Sequence, residues 1–305
     1  MGIFQSKVNK WMQKKILGAN HLFAEYLSDY FSYINRAEYL NHCVLNSNAS
    51  GISSEKYCST EVIVSLTTYD RRLYEVYLAI ESIMQQTLKP NKIILWLADE
   101  LKNNDMPKTL KKQQDRGLEI KYCKDILSYK KLIPALKEFP SAVIITIDDD
   151  HLYHFDIVEN LIAAHNKKPT LVFGAAMRRM KLLHKNKLEK YSKWARHESF
   201  DISPLNFSVG MGGVLYPPNC LNEEVFNENV FMDICKYADD TWFKSMALLN
   251  GTMAQKVLTH INFAKEHLRN NSTQHTTLTT INKSMNDIQL KAVFDKYSLY
   301  DLLSE

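Results

Sequence analysis

No run of 18 consecutive apolar residues occurs in the 305-residue sequence, so no segment reads as a transmembrane helix. The opening sequence, MGIFQSKVNKWMQKKILGANHLFAEYL, lacks the continuous apolar core and small-residue cleavage site of a secretory signal. Cysteine is sparse: the five cysteines, at 43, 58, 123, 220 and 235, show no C-x-x-C spacing, and an odd count does not suit a full disulfide framework. These absences point to the cytoplasm. There is no internal repeat and no low-complexity tract. Strong net charge is missing too: +4 on a chain of this length is too little to argue for a nucleic-acid partner. What is present, 45% hydrophobic residues over 305 positions, suffices for one sizeable core with appendages.

Residues 1–45 read as helical and rich in Tyr and Phe, with Ile3, Phe4, Val8, Trp11, Met12, Ile16 and Leu17 at helical spacing among Lys7, Lys10, Lys14 and Lys15. That pattern suits peripheral contact with a membrane surface, and equally a helix packed on its own domain or a second subunit, because amphipathicity says only that one face is covered. The Ser/Asn/Gly stretch at 46–56 marks a linker, which gives a helical extension and linker over 1–56, a main domain over 57–260 and a C-terminal helical extension over 261–305. Within the main domain, strands are expected at 61–69, 92–98, 118–123 and 142–147, and helices at 73–86, 129–139 and 157–167. This alternation implies an α/β fold, a Rossmann-like, mostly parallel sheet with helices on both faces that binds ligands beyond the carboxyl ends of its strands. Further on, 171–177 is strand-like, 206–218 a glycine-bearing loop or hairpin, 239–251 a helix with a glycine stop, and 286–303 a terminal helix.

The residues with chemistry gather at two places. Ile144-Ile145-Thr146-Ile147 runs directly into Asp148-Asp149-Asp150. Three carboxylates at the end of a buried strand repel one another, and a hard divalent cation, Mg²⁺ or Mn²⁺, supplies the compensation. Alternatively the acids cap the next helix, since Asp150 precedes HLYHFDIVENL. The second pair, Asp239-Asp240, opens a helix beside Trp242 and Phe243. One Asp suffices for a cap, and the other fits a partly desolvated carboxylate raised in pKa for general-base work.

Lys130 and Lys131, before a helix, suit either a diphosphate or a solvated basic turn. Gly210, Gly212 and Gly213 suit either close backbone approach to a sugar or acceptor, or a plain hairpin. His151, His154, His260, His267 and His275 read as surface or packing residues. Between Arg178 and Arg196 eight cations stand against Glu189 alone, which describes a solvated face or a loop turned to a phosphate-rich donor or acceptor.

In order, EVIVSLTTYDRR, IESIMQQTLKPNKIILWLAD, ILSYKKLIPAL, VIITIDDDHLY, VGMGGVLYPP and YADDTWFKSMALLNG resemble bacterial glycosyltransferases of the GT-A fold, close to the inverting, metal-dependent family-two group, over roughly residues 60–260. The resemblance implies transfer of a sugar from a nucleoside-diphosphate donor, UDP-linked, to a hydroxyl of a glycan or lipid-linked acceptor in lipopolysaccharide or capsule synthesis, with peripheral attachment to the inner face of the cell membrane. It implies that Thr67, Thr68, Tyr69 and Arg71 or Arg72 frame the nucleotide, and that Asp99 approaches its base or ribose. Asp148 would contact ribose or phosphate and share the Mn²⁺ or Mg²⁺ with Asp150, with Asp149 between them. Lys130 and Lys131 would meet the diphosphate, Gly212 the sugar, and Asp240 would act as base with Asp239 before it.

Two departures stand out. The first acid of the family's x-E-D motif is Asp239 rather than Glu, and the Q-x-x-R-W signature of processive members is absent. Competing classes fit less well. A sugar-nucleotide pyrophosphorylase needs a glycine-rich phosphate loop after its first strand, and SLTTYDRR has no glycine. An aspartate-nucleophile phosphatase carries its acids after the first strand of the domain. A GT-A-like module without activity would bind the nucleotide sugar and not turn it over.

Overall fold

The computed structural model describes residues 2–184, 187–196, 198–259, 268–269 and 278–303. Helix α1 (Gly2–Asn46) precedes β1 (Val62–Thr67), α2 (Val76–Met84), β2 (Lys92–Ala98), α3 (Lys108–Gln114), β3 (Leu118–Cys123), α4 (Ile133–Glu138) and β4 (Val143–Thr146). The short β5 (His151–Leu152), α5 (Ile157–Lys167), β6 (Val172–Gly174), β7 (Met177–Arg179), β8 (Leu182–His184), β9 (Lys187–Leu188), β10 (Ile202–Ser203), β11 (Asn206–Ser208) and β12 (Val214–Tyr216) follow. The remaining elements are α6 (Glu228–Ile234), α7 (Asp239–Leu249), β13 (Ala254–Lys256), β14 (Leu268–Arg269) and α8 (Leu278–Tyr297).

Eight strands form one sheet in the order β10-β13-β6-β12-β4-β1-β2-β3. Four of its seven pairings are parallel, namely β13 with β6, β4 with β1, β1 with β2 and β2 with β3. The expected mostly parallel α/β sheet is therefore what forms. Its central strands β1, β2 and β4 are apolar along most of their length because both faces are covered. In β1, Ile63 joins Ile94, Trp96, Ile144 and Trp242 on one face, while Val62, Val64 and Leu66 join Ile80, Leu95, Val143 and Leu161 on the other. Strand period two thus divides one hydrophobic run between two cores.

Of the loop or hairpin expected at 206–218, the loop is what forms. β11 pairs with β7, whereas β12 enters the main sheet between β4 and β6. The 3₁₀ turn Gly210–Gly212 and Gly213, at φ +84°, redirect the chain between the two sheets.

Residues 2–46 form one helix of 45 residues, about 67 Å long at 1.5 Å per residue. Its C-terminal part is anchored: Leu40 and Val44 are buried, and Tyr33, Ala37 and Leu40 pack with Leu78 and Leu152. Burial pushes the Tyr33 phenol up, with Glu75, Tyr77 and Asp150 adding to it. Tyr33 therefore stands near the carboxyl edge of the sheet. From there the helix continues toward its N-terminus, with Phe23, Tyr30 and Phe31 exposed. At the other end of the chain α8 and the turn after it close one core through Leu290, Val293, Phe294, Leu299 and Leu303. No helix among the described residues is long and apolar enough to cross a membrane.

Candidate active site

The chain leaves β1 through β2 and β3 on one side and returns to β4 on the other. This reversal makes the carboxyl ends of β1 and β4 a topological switch point, the place where open α/β sheets bind ligands. The residues after β1 and the acidic run after β4 meet there.

The middle acid of the run is turned inward. Asp149 accepts from Thr68 Oγ1 at 2.7 Å and pairs with Arg72 at 2.5 Å. Arg72 also reaches Asp150 at 3.4 Å, and its guanidinium stands 5.2 Å from the centroid of the Tyr69 ring. Burial pushes the Asp149 carboxyl up to about 6 even though Arg72 pulls the other way. Arg72, despite its own burial, is held charged by Asp149 and Asp150. Desolvation outweighs the pairing for the acid while the pairing wins for the base. Asp149 thus fastens β4 to the turn after β1.

The flanking acids have further partners of their own. Asp148 Oδ1 lies 2.9 Å from Lys131 Nζ, and the Asp148 backbone N–H donates to the Tyr153 hydroxyl at 2.8 Å. Asp150 Oδ1 lies 2.7 Å from His151 Nδ1. One ligand atom each from Asp148, Asp150 and His151 can be chosen so that all lie within 4.8 Å of one another. The two carboxylates suit Mg²⁺ or Mn²⁺, and the imidazole moves the preference from Mg²⁺ toward a transition ion.

The second acidic pair arrives from the opposite side on α7. Lys131 Nζ lies 2.9 Å from Asp239 Oδ2 and 3.9 Å from Asp240 Oδ1, so one ammonium ties both acidic motifs together. Burial alone would depress this lysine, but Asp148, Asp239 and Asp240 together raise it well above its ordinary value. Asp240 Oδ2 accepts the Gly210 backbone N–H at 2.9 Å. Burial pushes Asp240 up to about 7, with Asp239 and Asp148 adding to the rise and Lys131 opposing it. Asp148 and Asp240 keep 31% and 26% of their side chains exposed, against 6–10% for Asp149, Asp150 and Asp239. They are the two acids open to a ligand.

Capping accounts for neither motif. The N-cap of α7 is Ala238, and that of α5 is Asp156, which makes no side-chain capping hydrogen bond. Other expectations are redistributed. Thr68 meets the acidic run through Asp149 and Tyr69 through Arg72, whereas Thr67 Oγ1 bonds back to the Trp96 carbonyl at 2.8 Å. Arg71 is exposed, and Arg72 is the arginine of the site. Lys130 is buried against Asp125 and does not join the acidic cluster. Asp99 sits exposed at the end of β2, close enough to the end of β3 for its charge to raise Cys123.

Gly212 packs on the backbone of Ala176, so its missing side chain serves the fold. Gly210, not Gly212, is the glycine packed against the acidic cluster: a Cβ there would stand 2.7 Å from Lys131 Nζ, 2.9 Å from Asp240 Oδ1 and 3.4 Å from Asp148 Oδ1. His151 joins the cluster against expectation, and its position directly after three acids was the available signal. His260, His267 and His275 lie outside the described residues.

No protein-family model matches the chain, and no curated protein matches it. Among solved structures it is similar to the mannosyltransferase PcManGT from Pyrobaculum calidifontis in complex with GDP-Man and Mn²⁺, at 12% identity over 77% of this chain and 65% of that one, with a TM-score of 0.40. The chain thus spans less than two thirds of that protein's length. It is also similar to CMP:2-keto-3-deoxy-manno-octonic acid synthetase complexed with CTP, at 9% identity over 74% of this chain and 99% of that one, with a TM-score of 0.38.

Proposed function

We propose that the chain is a GT-A-type glycosyltransferase that moves a sugar from a nucleoside-diphosphate donor, UDP-linked, to a hydroxyl of a glycan or lipid-linked acceptor, with inversion. One observation carries the reading: five carboxyl groups, Asp148, Asp149, Asp150, Asp239 and Asp240, converge at the carboxyl edge of the sheet around two cations among the described residues, Arg72 and Lys131. Such an excess calls for a divalent cation. Asp148, Asp150 and His151 are the residues that would hold it, and when bound it would neutralise charge on the leaving diphosphate.

The chain's own groups divide the remaining work. Tyr69 offers an aromatic surface for the base, with its orientation set by Arg72. Lys131 holds Asp148 against α7 and brings a positive charge to the donor side. Asp240, on the acceptor side, accepts the proton of the attacking hydroxyl; a carboxylate near 7 is matched to that task. Gly210 leaves room for the acceptor oxygen while its N–H orients Asp240. The exposed aromatic residues of α1 and the lysines before them in sequence suit a helix lying on the inner membrane surface, where lipid-linked acceptors of lipopolysaccharide or capsule are found.

The test is calorimetry of UDP, GDP and CDP with Mn²⁺, Mg²⁺ or chelator, followed by a hydrolysis screen of the corresponding nucleotide sugars. Metal-dependent binding that is lost in Asp150→Ala supports the reading. Nucleotide affinity unchanged by chelator removes the metal, and absence of any hydrolysis or transfer leaves only a binding module.

A further inference from the structure

The basic stretch at 178–196 takes no part in the chemistry above, yet it is built onto the acceptor side of the site. β7 pairs with β11 through Met177↔Ser208, Arg178↔Phe207 and Arg179↔Asn206, and two residues after β11 the chain reaches Gly210, which holds Asp240. Arg178 stands 5.0 Å from the Tyr191 ring centroid, and Tyr191 packs on Trp194 and Phe207 at centroid distances of 5.1 and 5.8 Å. The backbone N–H of Tyr191 donates to Asp287 on α8 at 2.7 Å. The segment is thus fastened from beneath, by aromatic packing and by the terminal helix.

Its outer surface is different. Lys181, Lys187, Lys190 and Lys193 are exposed, and none has an ion-pair partner among the described residues. Elsewhere Lys111, Lys121, Lys124 and Lys291 each hold a carboxylate. The acids nearest in sequence are engaged: Asp201 pairs with Arg179, Glu198 with Lys256, and Glu189 accepts the Lys190 backbone N–H. Between the first of these lysines and the others the chain exposes Leu182 and Leu183, at 39% and 37%.

Unpaired cations interleaved with exposed aliphatic side chains have one well-matched partner, an anionic lipid surface, which attracts the lysines and accepts the apolar groups at the headgroup boundary. A soluble acidic glycan would satisfy the lysines and leave the leucines in water. We infer that the β8–β9 hairpin and the turn after it dock on an anionic bilayer, so that the acceptor side of Asp240 faces a lipid-anchored substrate. This rests on the transferase reading for the identity of the acceptor, but the docking surface itself does not.

The experiment is sedimentation of the full chain with vesicles of phosphatidylcholine alone or with about 30% phosphatidylglycerol, beside calorimetry of UDP and GDP with Mn²⁺. Each lysine near an anionic surface contributes about 1 kcal/mol, so reversing four of them (K181E/K187E/K190E/K193E) should weaken binding to the anionic vesicles at least ~100-fold, with nucleotide affinity unchanged. L182S/L183S should weaken it several-fold and leave binding to polygalacturonate as it was. Equal vesicle binding by wild type and the four-lysine variant overturns the proposal and assigns membrane contact to α1. Loss of polygalacturonate binding with vesicle binding unchanged replaces the lipid by an acidic glycan. Failure of every form to bind UDP or GDP counts against the transferase reading alone.

Discussion

Lys244 makes a prediction that the electrostatics of α7 allow to be worked in numbers. It lies one turn after Asp240 and is buried, and neither its Nζ nor Ser208 Oγ has a hydrogen-bond partner among the described residues. Both side chains line a cavity of about 10 Å³, shared with Tyr216, Asp240 and Phe243, which has room for one water at most. Burial, helped by the charge of Arg179, pushes Lys244 down to about 7. In the unfolded chain the same amine titrates near 10.4. Between those two values the unfolded chain carries a proton that the folded chain has shed, so stability rises with pH through that window and is flat below it.

The size follows from about 1.4 kcal/mol per pKa unit: near pH 7.5, giving up the proton costs folding about 4 kcal/mol, and near pH 9.5 only about 1 kcal/mol. Lys244→Met keeps the stem, removes the amine and removes the cost. Urea unfolding of both proteins at these two pH values is the assay. The variant should be the more stable at the lower pH, and its advantage should shrink by about 3 kcal/mol at the higher one; groups common to both proteins cancel in the difference. A stability difference that is the same at both pH values would refute the reasoning and show that Lys244 stays charged on a partner.

For the acid pair, Asp240→Asn should lower turnover by roughly 10²–10⁴-fold with donor-nucleotide affinity and melting temperature kept, whereas Asp239→Asn, which removes the charge opposite buried Lys131, should lower the melting temperature. Because Asp240 must be ionised to accept a proton, kcat should fall about tenfold per pH unit below about 7, and a profile flat from about 5 to 8 would exclude it as the base. Gly210→Ala should impair turnover and lower the melting temperature, since its Cβ would stand 2.7 Å from Lys131 Nζ and displace the ammonium from Asp148 and Asp239. Gly212→Ala should cost about 1–3 kcal/mol of stability, since its Cβ stands 2.4 Å from the Ala176 backbone nitrogen. His151→Ala should weaken Mn²⁺ binding, read by calorimetry with UDP, more than it weakens Mg²⁺ binding; equal losses would remove the imidazole from the ligand set.

The parts of this structure that were legible in advance share a physical property: they are set by local periodicity and burial. β2 covers 92–98 and α5 covers 157–167 as expected, because a wholly apolar run and a 3.6-residue repeat leave the chain little choice. The acidic cluster was legible for the same reason, since the strand before it fixes its place at the carboxyl edge. The illegible parts depend on direction and on contacts distant in sequence. Arg71 and Arg72 are indistinguishable by type, and the 3₁₀ turn at 70–74 decides which of them faces Asp149 across 77 positions of sequence. Lys130 and Lys131 are divided in the same way by the turn at 127–131, which gives one to Asp125 and the other to the acids. Gly210 and Gly212 are separated by a single residue, yet one closes on Asp240 and the other on Ala176.

These three choices are coupled through Lys131. Its ammonium can sit between Asp148 and Asp239 only because Gly210 presents no side chain, and Asp240 is oriented only because the same glycine donates its N–H. The buried charge is therefore held by groups from four separate segments: the turn after β3, the end of β4, the turn after β11 and the start of α7. None of the four is a binding element alone. A buried lysine is costly to desolvate and is stable only while Asp148 and Asp239, each 2.9 Å from its ammonium, are in place. The arrangement therefore makes the site cooperative: Lys131→Met should release Asp148 and Asp239 at once, and loosen α7 from the edge of the sheet.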